Sequence, residues 1–290
     1  MTIEDRDKYT GYLTTGHEWN GIKELNTPVP RAVYFFLLIA FLFSLVYWVL
    51  MPAWPLGVSY TTGALGVDQR DIVRDSIKIA TTDRSDWTKQ VEDESYREIQ
   101  ASPRLMSAAR QTGRTLFGDN CSACHGIDAR GGRGFPNLTT RSWLWGGDPE
   151  AIAETIRVGI NAPHPDSRSA QMPAFGRDQI LNPAEIDNVV AFVRSLSEPA
   201  AEGTRDVNAG KEVFAANCAA CHGDDAKGNS DAGAPDLTDK SWIYGGDPQT
   251  ITNTVRNGRQ GVMPTWESRL STLERKILAL YLVDLRMADQ

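Results

Sequence analysis

The sequence predicts an all-α chain: one N-terminal membrane-spanning helix followed by two tandem copies of one small helical domain. Three observations carry that prediction. From Ala32 to Trp54 the run is apolar, broken only by Ser44 and the interfacial residue types Tyr34, Tyr47 and Trp48. Residues 104–290 repeat themselves at a nearly constant offset. Each repeat closes on a segment with apolar residues at helical spacing, Ala184–Leu196 and Thr272–Leu285.

The first element is the membrane helix. At 1.5 Å per residue, the stretch 32–54 spans roughly 30 Å or slightly more, enough for a bilayer core. A cleaved signal peptide is the rival, but its apolar part is usually about 7 to 15 residues behind a short basic leader. Here the leader, 1–31, is long and holds Glu4, Asp5, Asp7, Glu18 and Glu24 against Arg6, Lys8, Lys23 and Arg31. An anchor is expected. Residues 55–103 mix charges with scattered Ile, Val and Trp and read as a connector with short amphipathic helical pieces.

The repeat defines the next two elements, 104–198 and 205–290. Phe117–Gly126 (FGDNCSACHG) matches Phe214–Gly223 (FAANCAACHG) at an offset of 97. The run Ser142–Pro149 (SWLWGGDP) matches Ser241–Pro248 (SWIYGGDP) at 99, and Met172-Pro173 matches Met263-Pro264 at 91. The first half therefore carries an eight-residue insertion, near His164. With 290 residues the chain has room for two ordinary domains and an anchor.

Composition narrows the function. A net charge of -7 excludes the dense cationic face that nucleic-acid binding needs, and suits a cationic protein partner. All four cysteines sit in Cys121-Ser-Ala-Cys124-His125 and Cys218-Ala-Ala-Cys221-His222, the attachment pattern of c-type haem. Two intervening residues place both thiols on one short turn matching the two vinyl groups, and the next residue turns its imidazole to the iron. A structural zinc site would need two such pairs some 15 to 20 residues apart. A dithiol redox site would sit in a βαβ pattern, and neither motif does. Two covalently bound haems c are expected, with His125 and His222 as proximal ligands.

Low-spin haem iron needs a second axial ligand, and a Met thioether is a soft donor that raises the potential relative to His. Met172 and Met263 share a repeat position and a following Pro. Each is expected to serve the haem of its own half, so Met172 is paired with His125 and Met263 with His222. His164, flanked by Pro163 and Pro165, competes with Met172 only as a minor alternative, since it reads as an exposed loop residue.

With these motifs, each half resembles a class I cytochrome c domain. Gly113 and Phe117, and Gly210 and Phe214, stand where that family has its first-helix Gly and aromatic, and Phe192 and Tyr281 where its last helix supplies the crossing aromatic. The resemblance implies that the carbonyls of Pro136 and Pro235 accept from the proximal His, that Arg157 and Arg256 face haem propionates, and that Trp143 and Trp242 pack nearby.

The whole chain resembles the dihaem subunit of cbb3-type cytochrome c oxidases, subunit III or CcoP/FixP. That likeness rests on His17–Asn26 (HEWNGIKELN) with Pro28 and Pro30 before the anchor, and on Tyr60–Gly66 (YTTGALG) after it. It implies a bacterial cytoplasmic-membrane protein with a cytoplasmic N-terminus and periplasmic haem domains. Such a subunit takes electrons from a donor cytochrome c and relays them to the monohaem and catalytic subunits of an oxidase in aerobic or microaerobic respiration. It does not itself reduce oxygen. The alternatives are a dihaem carrier serving another acceptor and, in a different class, a haem-based sensor or peroxidase.

Overall fold

A computed structural model of the chain describes residues 5–197 and 206–288. The predicted boundary between the halves, 198–205, lies outside the described residues. The chain divides within its longest helix into two compact units, Met1–Asp83 and Arg84–Gln290.

In the first unit, β1 (Thr14–Trp19) and β2 (Ile22–Leu25) form a small antiparallel hairpin ahead of the membrane helix, in a chain that is otherwise mostly helical as expected. Asn20-Gly21 makes its turn, with φ of 49° and 84°. That dipeptide suits a tight hairpin because both positions tolerate left-handed backbone. Next comes α1 (Arg31–Leu50), whose residues are all accessible and which is long and apolar enough to cross a membrane.

The motif after α1 folds back onto its C-terminal end. The Ala64 and Leu65 N–H groups donate to the Val49 and Leu50 carbonyls, at 2.8 and 3.0 Å. Those carbonyls have no intrahelical partner of their own. Gly63, at φ +67°, lies so close beneath the Leu50 and Met51 carbonyl carbons (2.6 Å from an added Cβ) that no side chain fits. The Tyr60–Gly66 motif is thus a tertiary cap on the membrane helix.

The connector forms α2 (Gln69–Asp93) and α3 (Tyr96–Ala101), longer and more regular than short pieces. The second unit then runs α4 (Pro103–Asn120), α5 (Ser122–His125), α6 (Pro149–Val158), α7 (Pro183–Ser197), α8 (Val207–Asn217), α9 (Ala219–His222), α10 (Pro248–Asn257) and α11 (Thr272–Ala288).

The repeat dictates matching helix ends. The shared Gly-Gly-Asp-Pro run places Asp148 and Asp247 as N-caps, accepting from the Ala151 and Thr250 N–H groups, with Pro149 and Pro248 at the first helical position. Gly159 and Gly258, at φ +72° and +70°, end α6 and α10. Asn182 with Glu185, and Ser271 with Glu274, form reciprocal capping pairs that start α7 and α11.

The helices do not pack as the linear repeat suggests. The last helix of the first half, α7, lies on α8 and α10 of the second, and the last helix of the second half, α11, lies on α4 and α6 of the first. One apolar core joins Phe117, Ile152 and Ile156 to Trp266, Leu278, Tyr281 and Leu282. The other joins Phe175, Ile186, Val190 and Val193 to Phe214, Ile251 and Val255. The halves have exchanged their C-terminal portions, giving two bodies. The Cys121 body holds α4–α6 and α11; the Cys218 body holds α7–α10.

The predicted helix crossings exist, but between halves. Gly113 faces Tyr281, whose Cβ would sit 2.5 Å from a Cβ at that position, and Gly210 faces the Asn188 carbonyl and Phe192 Cβ. Phe117 stacks on Tyr281 (5.9 Å between centroids) and Phe214 on Phe192 (5.3 Å).

Candidate cofactor sites

Each Cys-x-x-Cys-His motif forms one tight helical turn at the end of a long helix. The Cys121 N–H closes on the Phe117 carbonyl, and the Cys124 and His125 N–H groups both donate to the Cys121 carbonyl, at 3.2 and 3.0 Å. Cys218, Cys221 and His222 repeat this at 3.1 and 3.0 Å. After each His the chain loops round so that the Gly131 and Gly228 N–H groups cap the His carbonyls at 2.7 and 2.8 Å. Both glycines have positive φ and abut the backbone of the following Pro, which leaves no room for a Cβ.

The loop delivers the proline carbonyl to the imidazole. His125 Nδ1 lies 3.2 Å from the Pro136 oxygen and His222 Nδ1 3.0 Å from the Pro235 oxygen. A carbonyl only accepts, so Nδ1 carries the proton and Nε2 keeps its lone pair. Burial holds both imidazoles below their ordinary pKa, with the proline carbonyl pulling partly back. The rings are therefore neutral at pH 7 and oriented for ligation. Burial, reinforced by the neighbouring thiol, pushes Cys121 and Cys218 up to about 11. Such thiols stay protonated and are poor thiolate ligands. Among the described residues no group of three or more His, Cys, Asp or Glu side chains is arranged to hold a metal ion.

A cleft of about 80 Å³ opens beside His125, and Leu138, Trp143, Trp145, Ile156, Leu282 and Met263 share its lining. Met172 lies instead in the other body, against the core that holds Phe214 and takes in Cys218 and Trp242. The pairing of each Met with the His of its own half is thus not what the fold brings together. Met263 comes to His125, and Met172 to the His222 body.

Backbone pairing fixes the exchange. Ile160 and Met263 share two N–H···O bonds of 2.9 and 3.0 Å, and Met172 and Arg259 two of 2.8 and 3.1 Å. Gly159 and Gly258 let these strands approach, since a Cβ on Gly159 would meet the Met263 carbonyl at 2.5 Å and one on Gly258 would meet that of Met172.

Two further expectations are revised. Arg157 does not face the cleft: its guanidinium is taken by Glu154 (2.8 Å), Glu267 (2.8 Å) and Asp166 (3.0 Å). Arg256 is exposed. His164 is no open-loop residue, for its side chain is only 9% exposed. Its Nε2 donates to Glu267 at 2.8 Å and its Nδ1 accepts from the Asp166 N–H at 3.0 Å, so neither nitrogen is free for iron.

The arginines that do stand at the rings were missed. Arg168 sits over Trp145 (5.1 Å) and Arg259 over Tyr244 (4.2 Å). Trp145 Nε1 and Arg168 Nε are, among the described residues, the buried side-chain nitrogens left without a partner. Orphaned buried donors are costly unless an acceptor completes them. An apolar cleft whose lining holds a neutral imidazole and a thioether, with two unfilled N–H donors beside it, fits haem, whose propionates are acceptors. The signal was in the sequence: Arg168 and Arg259 are related by the same offset of 91 as the two methionines.

Comparison with known proteins agrees with this chemistry. Residues 111–197 match the family described as cytochrome c, residues 205–282 that described as cytochrome c oxidase, cbb3-type, subunit III, and residues 11–58 the N-terminal domain of cytochrome oxidase-cbb3, FixP. The chain is 46% identical over 275 residues to the cbb3-type cytochrome c oxidase subunit FixP of Bradyrhizobium sp. (strain ORS 278), covering 95% of each chain. It is 40% identical over 292 residues to subunit CcoP of Azospirillum brasilense, covering 98% of this chain and 99% of that one. Against CcoP of Cereibacter sphaeroides it is 39% identical over 269 residues and 92% of each. With two cytochrome c domains of the haem c-binding kind behind an apolar helix, and relatives matched end to end, the chain belongs to the FixP/CcoP family, subunit III of the cbb3-type cytochrome c oxidases.

Proposed function

We infer that the chain is the membrane-anchored dihaem relay of a cbb3-type terminal oxidase. It receives single electrons from a donor cytochrome c and passes them to the monohaem and catalytic subunits. The observation that carries this reading is the duplicated site: two neutral, proline-oriented imidazoles, each beside a paired cysteine turn and each in a body that takes in one of the repeat-related methionines, Met263 or Met172.

Cys121 and Cys124 would hold one haem by thioether bonds and Cys218 and Cys221 the other. His125 and Met263 would ligate the iron of the first, and His222 and Met172 that of the second. Bound haem supplies reversible one-electron exchange at iron. The chain's own contribution is position, ligation and burial. Trp143 and Trp242 pack beside the two sites, while Trp145 with Arg168, and Arg259 above Tyr244, offer N–H donors to propionates. A methionine supplied to each iron would close it to exogenous ligands, which disfavours a sensor or peroxidase.

The α1 helix anchors the chain in the bacterial cytoplasmic membrane. Because thioether attachment of haem takes place outside that membrane, the haem bodies lie in the periplasm and the hairpin in the cytoplasm. The net charge of -7 attracts a cationic donor.

Purification of the solubilised full-length protein from its own membranes tests the assignment. A haem- and copper-containing oxidase subunit and a monohaem c subunit are expected to co-purify, and donor oxidation is expected to slow as ionic strength rises. Recovery of the chain with two haems c but without the oxidase subunits would move it to a carrier serving another acceptor.

A further inference from the structure

The two exchanged methionine segments are not held alike. Residues 261–267, which carry Met263 into the Cys121 body, are gripped along their whole length by α6 and the loop after it. Asn161 Nδ2 donates to the Gly261 carbonyl at 2.7 Å, Ile160 pairs with Met263, the Thr265 hydroxyl donates to the Arg157 carbonyl at 2.6 Å, and the Trp266 N–H donates to the Ile156 carbonyl at 3.1 Å. At the far end, Glu267 accepts from Arg157 through Oε1 and from His164 through Oε2, both at 2.8 Å.

His164 and Asp166 belong to the eight-residue insertion that the second half lacks. The insertion is itself tightly closed, with the Asn161 N–H on the Arg168 carbonyl (2.7 Å), the Arg168 N–H on the Gly159 carbonyl (3.1 Å) and the Ala162 N–H on the Ser167 hydroxyl (2.9 Å). It presents the nearly buried His164 ring to Glu267, while Asp166 and Glu154 steady the same Arg157 guanidinium. The segment carrying Met172 is paired to Arg259 and, through the Arg177 N–H, to the Arg256 carbonyl. Its neighbouring Asp178 pairs with Arg177 beside it in sequence and not across the exchange.

We propose that His164, together with Arg157, is a positioning residue of the electron relay. Clasping Glu267 four residues beyond Met263, it fixes the thioether opposite His125, so that the insertion in the first half is the device that seats the distal ligand arriving from the second. His164 acts through Glu267 and touches neither the cofactor nor its ligands. The inference rests on the reading that Met263 is distal to His125.

The test uses the full-length haem-loaded protein carrying His164→Ala, Glu267→Ala or Glu267→Gln, with haem content per chain measured alongside. The near-infrared magnetic circular dichroism band of methionine-ligated ferric haem and the two redox titration waves are the readouts. His164→Ala and Glu267→Ala are expected to lower the band toward half its wild-type intensity and to shift one wave only, at two haems per chain. Glu267→Gln, which keeps an acceptor for His164, is expected to retain more of the band than Glu267→Ala.

Full band intensity with both waves unmoved in His164→Ala and Glu267→Ala would overturn the proposal. So would equal change at both haems, which would mark a general requirement of the fold. Met263→Ala is measured in parallel: if the haem on Cys121 and Cys124 keeps its methionine band there, the ligand reading itself fails, whatever the clasp variants show.

Discussion

Replacing Met263 by alanine is expected to free the distal position opposite His125 and leave that opposite His222 intact. The exchange makes this a quantitative prediction. On the proposed ligation two thioethers serve two irons, so in the wild-type background the substitution is expected to remove one half of the methionine–iron signal. In a chain also carrying Cys218→Ala and Cys221→Ala, only the first attachment site remains. There Met263→Ala removes the whole signal and Met172→Ala none. An unexchanged repeat gives the reverse for both. The variant should remain folded, because Met263 is only partly buried at the edge of its core, which puts truncation near the lower end of the about 2 to 5 kcal/mol that buried Met-to-Ala changes cost. Near-infrared magnetic circular dichroism of the oxidised protein gives the signal, and carbon monoxide uptake by the reduced protein counts the opened sites. Loss of the band on Met172→Ala in the single-haem chain would refute the exchanged assignment.

Three other perturbations test separate parts of the fold. Gly210→Ala forces a Cβ onto the Asn188 carbonyl and Phe192, so a loss of about 1 to 3 kcal/mol is expected in denaturant melts despite the better helix propensity of alanine; a stabilised variant would show that α7 and α8 do not cross there. The hydrogen bonds from His164 and Arg157 hold the Glu267 carboxyl at about 2, below its ordinary 4.5. A depressed folded pKa gives stability that is present above 4.5 and lost as pH falls toward 2, so Glu267→Gln should flatten that acid limb relative to wild type, and parallel stability curves would contradict the pairing. The forked Arg110–Asp284 bridge between α4 and α11 (2.6 and 2.7 Å) is half open to water, and Arg110→Ala is expected to cost less than about 1 kcal/mol; a larger loss would mean the bridge clamps the exchanged helix.

The local chemistry of the sites was legible in the sequence because it is written in contiguous residues. The Cys-x-x-Cys-His turn, the proline eleven or thirteen residues on, and the Asp-Pro helix starts all act over short spans. The hairpin was legible too, since Asn20-Gly21 is a strong turn signal, but it lay inside a motif read only for its resemblance. The exchange was not legible. Tyr281 and Phe192 occupy equivalent positions, as do Met263 and Met172, so each fits either body in apolar character and size. What decides between them is the path of the chain between Met172 and Arg259, a tertiary property that periodicity does not encode. Arg157 misled for a related reason: beside the local Glu154, its carboxylate partners Asp166 and Glu267 lie in the insertion and in the other half.

The exchange also sets which of the two bodies the chain can close first. The Cys218 body is contiguous, from the Met172 segment through α7 to Arg259, whereas the Cys121 body needs α11, the last helix of the chain, against α4, with partners such as Arg110 and Asp284 separated by 174 residues. A chain synthesised from its N-terminus therefore presents its first cysteine pair early, but the core around that pair closes only when α11 arrives. A C-terminal truncation that removes α11 therefore strikes the Cys121 body before the Cys218 body.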